Sequence, residues 1–175
     1  MANLNSEKLK KLTLAGALAA LTTVATLLIQ IPSPTKGYIN LGDVLVNLSA
    51  WILGPVYGAA AAGIGSAMAD LISGYTVYAP ATLIIKAAMA VVSYLVFSKV
   101  SGKYKTFPAL ASGAVAAEIV MVAGYAVFAG FLYGSVSSAL LSVPENIVQG
   151  VFGAAASTVL YTAYSKRTSR MHLSL

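Results

Sequence analysis

Long apolar segments follow one another along the whole chain with only short polar breaks, and no other feature constrains the fold as strongly. A helix needs about 20 apolar residues to cross a hydrocarbon core, where only helices and closed barrels satisfy their own backbone hydrogen bonds. The chain has 175 residues, of which 58% are hydrophobic and 9% are charged, whereas about 25% of the residues of soluble domains are charged. The sequence therefore predicts an all-α integral membrane protein.

The apolar segments predict six spans, with boundaries set by glycine, proline and polar residues. The second predicted span is short, because Gly54-Pro55 interrupts it and the residue before a proline avoids the helical region. The spans leave no room for a soluble domain, so residues 1–175 are predicted to form one six-helix membrane domain. The predicted spans cover about 9–30, 41–53, 56–73, 81–98, 109–132 and 143–164.

Basic residues fall almost entirely on one side of this arrangement. Lys36 alone lies on the other side, and Lys86 lies within a span. Lysine and arginine concentrate in cytoplasmic loops, so both termini are expected in the cytoplasm. Cleavage of the N-terminus as a signal peptide is disfavoured, because the apolar run is too long and the remaining basic loops would lie on contradictory sides. The cytoplasmic set is Lys8, Lys10, Lys11, Lys99, Lys103, Lys105, Lys166, Arg167 and Arg170.

The sequence also excludes several kinds of chemistry. Cysteine is absent and the single histidine, His172, lies in a polar tail, so we expect no thiol catalysis, disulfide or metal site. No Gly-x4-Gly-Lys-Ser/Thr phosphate loop occurs, and no serine is paired with an evident base. An intramembrane protease built on Asp43 and Asp70 lacks any signal that brings the two together. The chain is predicted to be no enzyme and to bind no nucleic acid, because its basic residues flank apolar spans.

Ionisable residues within spans cost roughly 2.5–3.5 kcal/mol each on insertion scales, so they indicate function or pairing. Asp43 follows Asn40 at the start of the second span, where an N-cap and a first-turn acid are structural features. Asp70 lies on a face of small residues, which favours pairing with a neighbouring helix. The remaining polar groups concentrate in the outer halves of the last three spans: Lys86, Glu118, Tyr125, Glu145, Asn146 and Gln149.

Two interpretations account for these polar groups. An ion pair of Lys86 with Asp70 or Glu118 would explain only two of them, whereas a pocket for a small polar ligand near the outer surface uses them all. Tyr38, Tyr75 and Tyr78 in the outer loops would wall such a pocket or serve as interface residues. We favour the ligand pocket.

Small residues on the first and third spans favour close helix packing. The third span carries one at every fourth position, beginning at Gly54 and Gly58, which indicates packing within the bundle. The first span carries two offset pairs, Ala15 with Ala19 and Gly16 with Ala20, which either pack internally or receive a helix of another protein.

Five segments together resemble a known family: Gly37-Tyr-Ile-Asn-Leu-Gly-Asp-Val-Leu-Val-Asn47, Leu53-Gly-Pro-Val-Tyr-Gly58, Gly65-Ser-Ala-Met-Ala-Asp-Leu-Ile-Ser-Gly-Tyr75, Tyr78-Ala-Pro80 and Leu83-Ile-Ile-Lys86. They are similar to the substrate-binding S component of energy-coupling factor (ECF) vitamin transporters. The pattern most resembles the HmpT-like group, associated with hydroxymethylpyrimidine uptake. Pyridoxine and riboflavin carriers are near relatives.

The resemblance implies a six-helix fold with a vitamin held near the outer face of the bacterial cytoplasmic membrane. It also implies a transmembrane T component and two cytoplasmic ATPases that use ATP, so this chain itself would need no cofactor. An Ala-x-x-x-Ala motif in the first helix contributes to docking in this family, and Ala15 and Ala19 match it. With the offset pair, the expected partner face comprises Ala15, Gly16, Ala19 and Ala20.

We therefore expect a subunit that captures a small vitamin, with hydroxymethylpyrimidine preferred. Glu118 or Glu145 would accept from the aminopyrimidine edge, and Tyr125 or a loop tyrosine would stack on the ring. Asn146 and Gln149 would bind the hydroxymethyl group. The full expected substrate site is Tyr38, Asn40, Tyr78, Lys86, Glu118, Tyr125, Glu145, Asn146 and Gln149.

Two alternatives remain open. In a carrier for pyridoxine, Lys86 would face the phenolate of the ligand, and another B vitamin is a further possibility. In a different class, an autonomous proton-coupled carrier or small channel, Asp70, Lys86 and Glu118 would form a proton relay.

Overall fold

The computed structural model describes residues 2–32, 37–102 and 106–172, with side chains described from 6 to 166 within these ranges. Lys36, Lys103 and Lys105 lie outside the described residues, as do the side chains of Arg167 and Arg170. Over the described part, the chain forms five helices and one short antiparallel hairpin. These are α1 (Ala2–Leu28), β1 (Ile31–Pro32), β2 (Tyr38–Ile39), α2 (Gly42–Ile72), α3 (Ala79–Ser101), α4 (Thr106–Tyr133) and α5 (Val136–His172).

The predicted interruption at Gly54-Pro55 is confirmed as a sharp break inside α2. Gly54 has φ 80° and ψ −177°, a conformation that is essentially restricted to glycine. The chain folds back there, so that a Cβ added at Gly58 would lie 2.7 Å from the carbonyl oxygen of Ser49. The helix therefore has two arms packed on each other, before and after Gly54.

The predicted count of six separate helices is not confirmed, because the second and third predicted spans are the two arms of the single element α2. All five helices are long and apolar enough to cross a membrane. The last helix also begins earlier than predicted, at Val136 rather than near Pro144, because α5 continues through this proline. An internal proline removes one backbone hydrogen bond and can kink a helix without ending it.

The fold-back of α2 decides which residues meet at each end of the bundle. Trp51, near the break, packs against Phe97 of α3 and Tyr161 of α5, with ring centroids 6.2 Å and 5.4 Å away. At the opposite end, Tyr38 bonds to Asp70, near the end of α2. That end, where α1, α2 and α4 finish and α3 and α5 begin, is called the pocket end below.

The small residues of the second arm of α2 are buried, as predicted for packing within the bundle. Ala62, Ser66 and Asp70 succeed one another on this buried face. Large apolar side chains such as Ile64, Met68 and Leu71 are exposed on the other side of the arm. An apolar exterior around a core of small and polar residues is the arrangement expected in lipid.

Candidate ligand-binding site

A pocket lies at the pocket end, beneath the β1–β2 hairpin and between the ends of the helices. Its free volume is about 40 Å³, well below the roughly 150 Å³ of an engineered protein cavity that holds benzene. The site is thus nearly closed in this conformation, and a heterocycle requires the wall to move outward. The wall consists of Gly37, Tyr38, Asn40, Asp70, Tyr75, Tyr78, Thr82, Tyr125, Ala129, Ser142, Glu145, Asn146 and Gln149.

Tyrosine rings form one side of this pocket. The ring of Tyr38 lies 4.7 Å from that of Tyr75, which is followed by Tyr78 at 6.3 Å, between ring centroids. Phe128 of α4 packs edge-on against Tyr78 at 5.2 Å. Tyr125, also on α4, donates its phenolic hydrogen to Oγ1 of Thr82 on α3 at 3.0 Å. Such rings offer flat, electron-rich faces to a planar ligand.

Tyr38 attaches the hairpin to the end of α2. Its hydroxyl donates to Oδ1 of Asp70 at 2.5 Å. Burial, and then this hydrogen bond, raises the pKa of Tyr38 far above that of a free tyrosine. Burial, and then the hydroxyl of Tyr133, also raises the pKa of Tyr78. Both phenols therefore keep their protons and act as donors at any physiological pH.

Gln149 joins the pocket wall to a buried polar network. Its Oε1 accepts from the backbone N–H of Asn40 at 2.8 Å, and its Nε2 donates to Oδ2 of Asp43 at 2.6 Å. A carboxylate only accepts and an N–H only donates, so these two partners fix the orientation of the Gln149 amide. Nε2 also lies 3.2 Å from the sulfur of Met121. Both polar atoms of this amide are therefore already hydrogen-bonded within the protein.

A buried ion pair between Lys86 and Asp43 lies beneath the pocket. The alternative interpretation, in which Lys86 pairs with Asp70 or Glu118, is not what the structure shows, because the carboxylate that bonds to Lys86 is that of Asp43 on the first arm of α2. Asp43 is a first-turn acid, as expected, but the expected N-cap is wrong, because Leu41 occupies the N-cap position without a side-chain cap. Asn40 accepts from the N–H of Gly42 at 2.8 Å, and the Asp43 carboxylate bonds across helices.

Glu118 belongs to the same buried layer. Nδ2 of Asn47 donates to Oε1 of Glu118 at 3.1 Å, and Ser93 donates to Oδ1 of Asn47 at 2.7 Å. The backbone of α5 comes close here, since a Cβ on Gly153 would lie 2.9 Å from Oε1 of Glu118. Glu118 faces an apolar groove between α4 and α5, not the pocket wall.

Seven of the nine predicted substrate residues line the pocket: Tyr38, Asn40, Tyr78, Tyr125, Glu145, Asn146 and Gln149. Lys86 and Glu118 lie in the layer below. The sequence reasoning did not assign Asp70, Thr82 or Ser142 to the site. Asp70 lies five residues before Tyr75, near the end of a predicted span, and this position is the sequence signal that could have assigned Asp70 to the pocket.

The four predicted partner residues divide between two faces of α1. Ala15 is buried, and Ala19 packs its backbone against Gly65 of α2. Gly16 and Ala20 are exposed, and a Cβ on Gly16 would have no neighbour within 4 Å. Only the second pair offers an open surface to another protein.

Comparison with known proteins agrees with this architecture. The family model of the ECF-type riboflavin transporter S component matches residues 6–166. A protein of Pyrococcus woesei, described as an uncharacterized protein in the gap 3′ region, is 42% identical over 132 residues, covering 75% of this chain and 85% of that protein. The thiamine precursor transporter HmpT of Lactococcus lactis subsp. cremoris is 30% identical over 159 residues, covering 90% of this chain and 89% of its own.

A solved structure shares the fold. The S component of a bacterial ECF transporter superposes with a TM-score of 0.75 at 24% identity, covering 92% of this chain and 98% of the other. The matched family model places the chain among the substrate-capturing subunits of transport systems rather than among enzymes. The chain belongs to the S-component family of ECF transporters, and it is of the HmpT-like type.

Proposed function

We propose that this protein captures a small vitamin precursor, hydroxymethylpyrimidine, for an ATP-driven ECF uptake system in a cell membrane. The pocket itself carries the proposal: it is small, lies at one end of the bundle, and combines tyrosine faces with carboxylate and amide groups. The similarity to the thiamine precursor transporter HmpT favours a pyrimidine. Pyridoxine, riboflavin and other B vitamins are the competing substrates.

The proposed topology has six membrane crossings, with each arm of α2 counted as one. The first arm leads away from the pocket end, and the second arm returns to it. This places both termini at the end opposite the pocket, and the excess of lysine and arginine assigns that end to the cytoplasm. Since the chain has no cysteine, the single-cysteine variants Thr76→Cys and Ser101→Cys can each be exposed to a membrane-impermeant maleimide, which labels only cysteines on the outer side. Labelling from outside at position 76 and not at position 101 would support the topology. Labelling at position 101 and not at position 76 would refute it.

The energy source in this proposal lies in other chains. A T component and two cytoplasmic ATPases would bind this subunit and use ATP, while this chain contributes the binding site and no cofactor. We propose that docking uses the exposed pair Gly16 and Ala20 of α1, since Ala15 and Ala19 already pack internally. Small residues permit the close helix approach that association in lipid requires.

The binding test uses the full chain purified in detergent. Mass spectrometry of small molecules released from the protein identifies any retained ligand. Calorimetric titration then compares hydroxymethylpyrimidine, pyridoxine and riboflavin. Saturable one-to-one binding, tightest for the pyrimidine, is expected. Tighter binding of pyridoxine or riboflavin would reassign the substrate, and binding of none of them would refute the vitamin-capture function.

A further inference from the structure

We infer that Asp70 anchors the substrate, and that the pocket selects an aromatic heterocycle that is cationic or presents N–H donors. This inference rests on the proposed function, because it names the anchor and the ligand chemistry of the same pocket. It concerns an acid that the sequence assigned to helix pairing.

The first observation is an acceptor without a donor. Asp70 is 4% exposed, and it lies in the pocket wall. Its Oδ1 accepts from Tyr38, and its buried Oδ2 makes no hydrogen bond of good geometry among the described residues, although the hydroxyl of Thr82 interacts with the same carboxylate. Buried carboxylate oxygens are rarely left unpaired, because desolvation is unfavourable unless a donor compensates for it. A ligand N–H group in the pocket supplies that donor.

The second observation is the charge of the pocket wall. Among the residues that the structure describes, the lining includes two carboxylates, Asp70 and Glu145, and no lysine or arginine. Lys86, in the layer below, is paired with Asp43 and offsets the charge of Asp70 only in part. Asp70 also lies in the last turn of α2, where the helix dipole adds negative potential. The field therefore favours a cation and opposes vitamins that carry a carboxylate or phosphate.

The third observation is the placement of the aromatic rings. Tyr38 both bonds to Asp70 and packs on Tyr75, so the carboxylate and the ring faces belong to one cluster. Tyrosine faces attract cations and stack on planar rings. A flat ring that stacks on an outer face of this tyrosine cluster, once the pocket wall has moved outward, can direct an N–H edge at Oδ2 of Asp70.

Other polar groups of the pocket wall are less available to bind a ligand, because they already form hydrogen bonds within the protein. The Gln149 amide is occupied by Asn40, Asp43 and Met121. Nδ2 of Asn146 donates to the carbonyl of Ser142 in its own helix at 2.8 Å. Among the carboxylates that the sequence suggested as anchors, Glu118 does not line the pocket. Of the two carboxylates in the wall, Asp70 is the buried one, whereas Glu145 is partly exposed.

The test titrates the purified full chain with 4-amino-5-hydroxymethyl-2-methylpyrimidine and with its analogue that carries a 4-oxo group instead of the amine. Wild type should bind the amine more tightly. Asp70→Asn should weaken binding of the amine roughly 10- to 100-fold, the range for one hydrogen bond to a charged group, and should affect the oxo analogue much less. Glu7→Gln removes one acidic charge at an exposed site far from the pocket and should change neither affinity.

Three results would overturn the inference. Asp70→Asn binding the amine as tightly as wild type would remove Asp70 as the anchor while leaving the transport function intact. Wild type binding the oxo analogue or an anionic vitamin more tightly would refute the ligand class, and this comparison needs no variant to fold. If the wild type bound no heterocycle at all, the proposed function would fail and this inference with it.

Discussion

Lys86 of α3 forms an ion pair with Asp43 of α2, and both side chains are almost completely buried. This pair joins the first arm of α2 to α3 directly beneath the pocket. Gln149 extends the connection to α5, since it donates to the second oxygen of Asp43 at 2.6 Å. Three helices are thus held together by one carboxylate, which is structural support for the pocket floor.

The first prediction concerns this pair. Lys86→Met leaves the Asp43 charge buried without its counterion, which should lower the free energy of unfolding by about 3–5 kcal/mol. Adding Asp43→Asn removes the uncompensated charge and should restore much of the loss. Thermal unfolding of the detergent-solubilised variants measures both effects. If Lys86→Met alone were as stable as wild type, the ion pair would contribute nothing to stability.

The second prediction concerns the break in α2. Gly54→Ala forces a Cβ into a conformation with φ 80°, which should cost about 1–3 kcal/mol of stability. The matched control is Gly16→Ala, on the exposed face of α1 with no neighbour within 4 Å, which should be neutral or stabilising by up to about 1 kcal/mol. Equal unfolding temperatures for the two variants would refute the assigned backbone conformation.

Such breaks were readable from the sequence, whereas the pairing of helices was not. Gly54-Pro55 is a local signal, because both residues act on their own backbone. The polar positions Glu145 and Gln149 were equally readable, but the start of α5 was not, because the helix begins well before them, at Val136. Which side chain meets Lys86 depends on the packing of α2 against α3, and the chain offered three acids at suitable depth. Burial of Ala15 rather than Gly16 depends likewise on the rotation of α1 about its axis.

A third prediction addresses the attachment of the hairpin. Tyr38→Phe removes the hydrogen bond to Asp70 and should raise the dissociation rate of the bound pyrimidine, with a loss of about 1–3 kcal/mol in affinity. Tyr57→Phe makes the same chemical change near the break in α2, far from the pocket, and should have no effect. Stopped-flow fluorescence of ligand release measures both, and unchanged release from Tyr38→Phe would contradict the role of this bond.

A fourth prediction separates docking from binding. Gly16→Leu places a large side chain on the open face of α1 and should abolish uptake in cells that contain the partner subunits, while the purified protein binds its ligand normally. Ala15→Leu should instead destabilise the protein, because Ala15 is buried, and overpacking typically costs about 1–3 kcal/mol. Normal uptake with Gly16→Leu would place the partner interface elsewhere.

The central claim is that this chain binds a solute but does not transport it across the membrane without ATP-driven partner subunits. Uptake of radiolabelled hydroxymethylpyrimidine into proteoliposomes tests this claim most directly, with and without the T component, the two ATPases and ATP. We predict uptake only when all the partners and ATP are present. Uptake by this chain alone, driven by a pH gradient, would contradict the account and would identify an autonomous proton-coupled carrier.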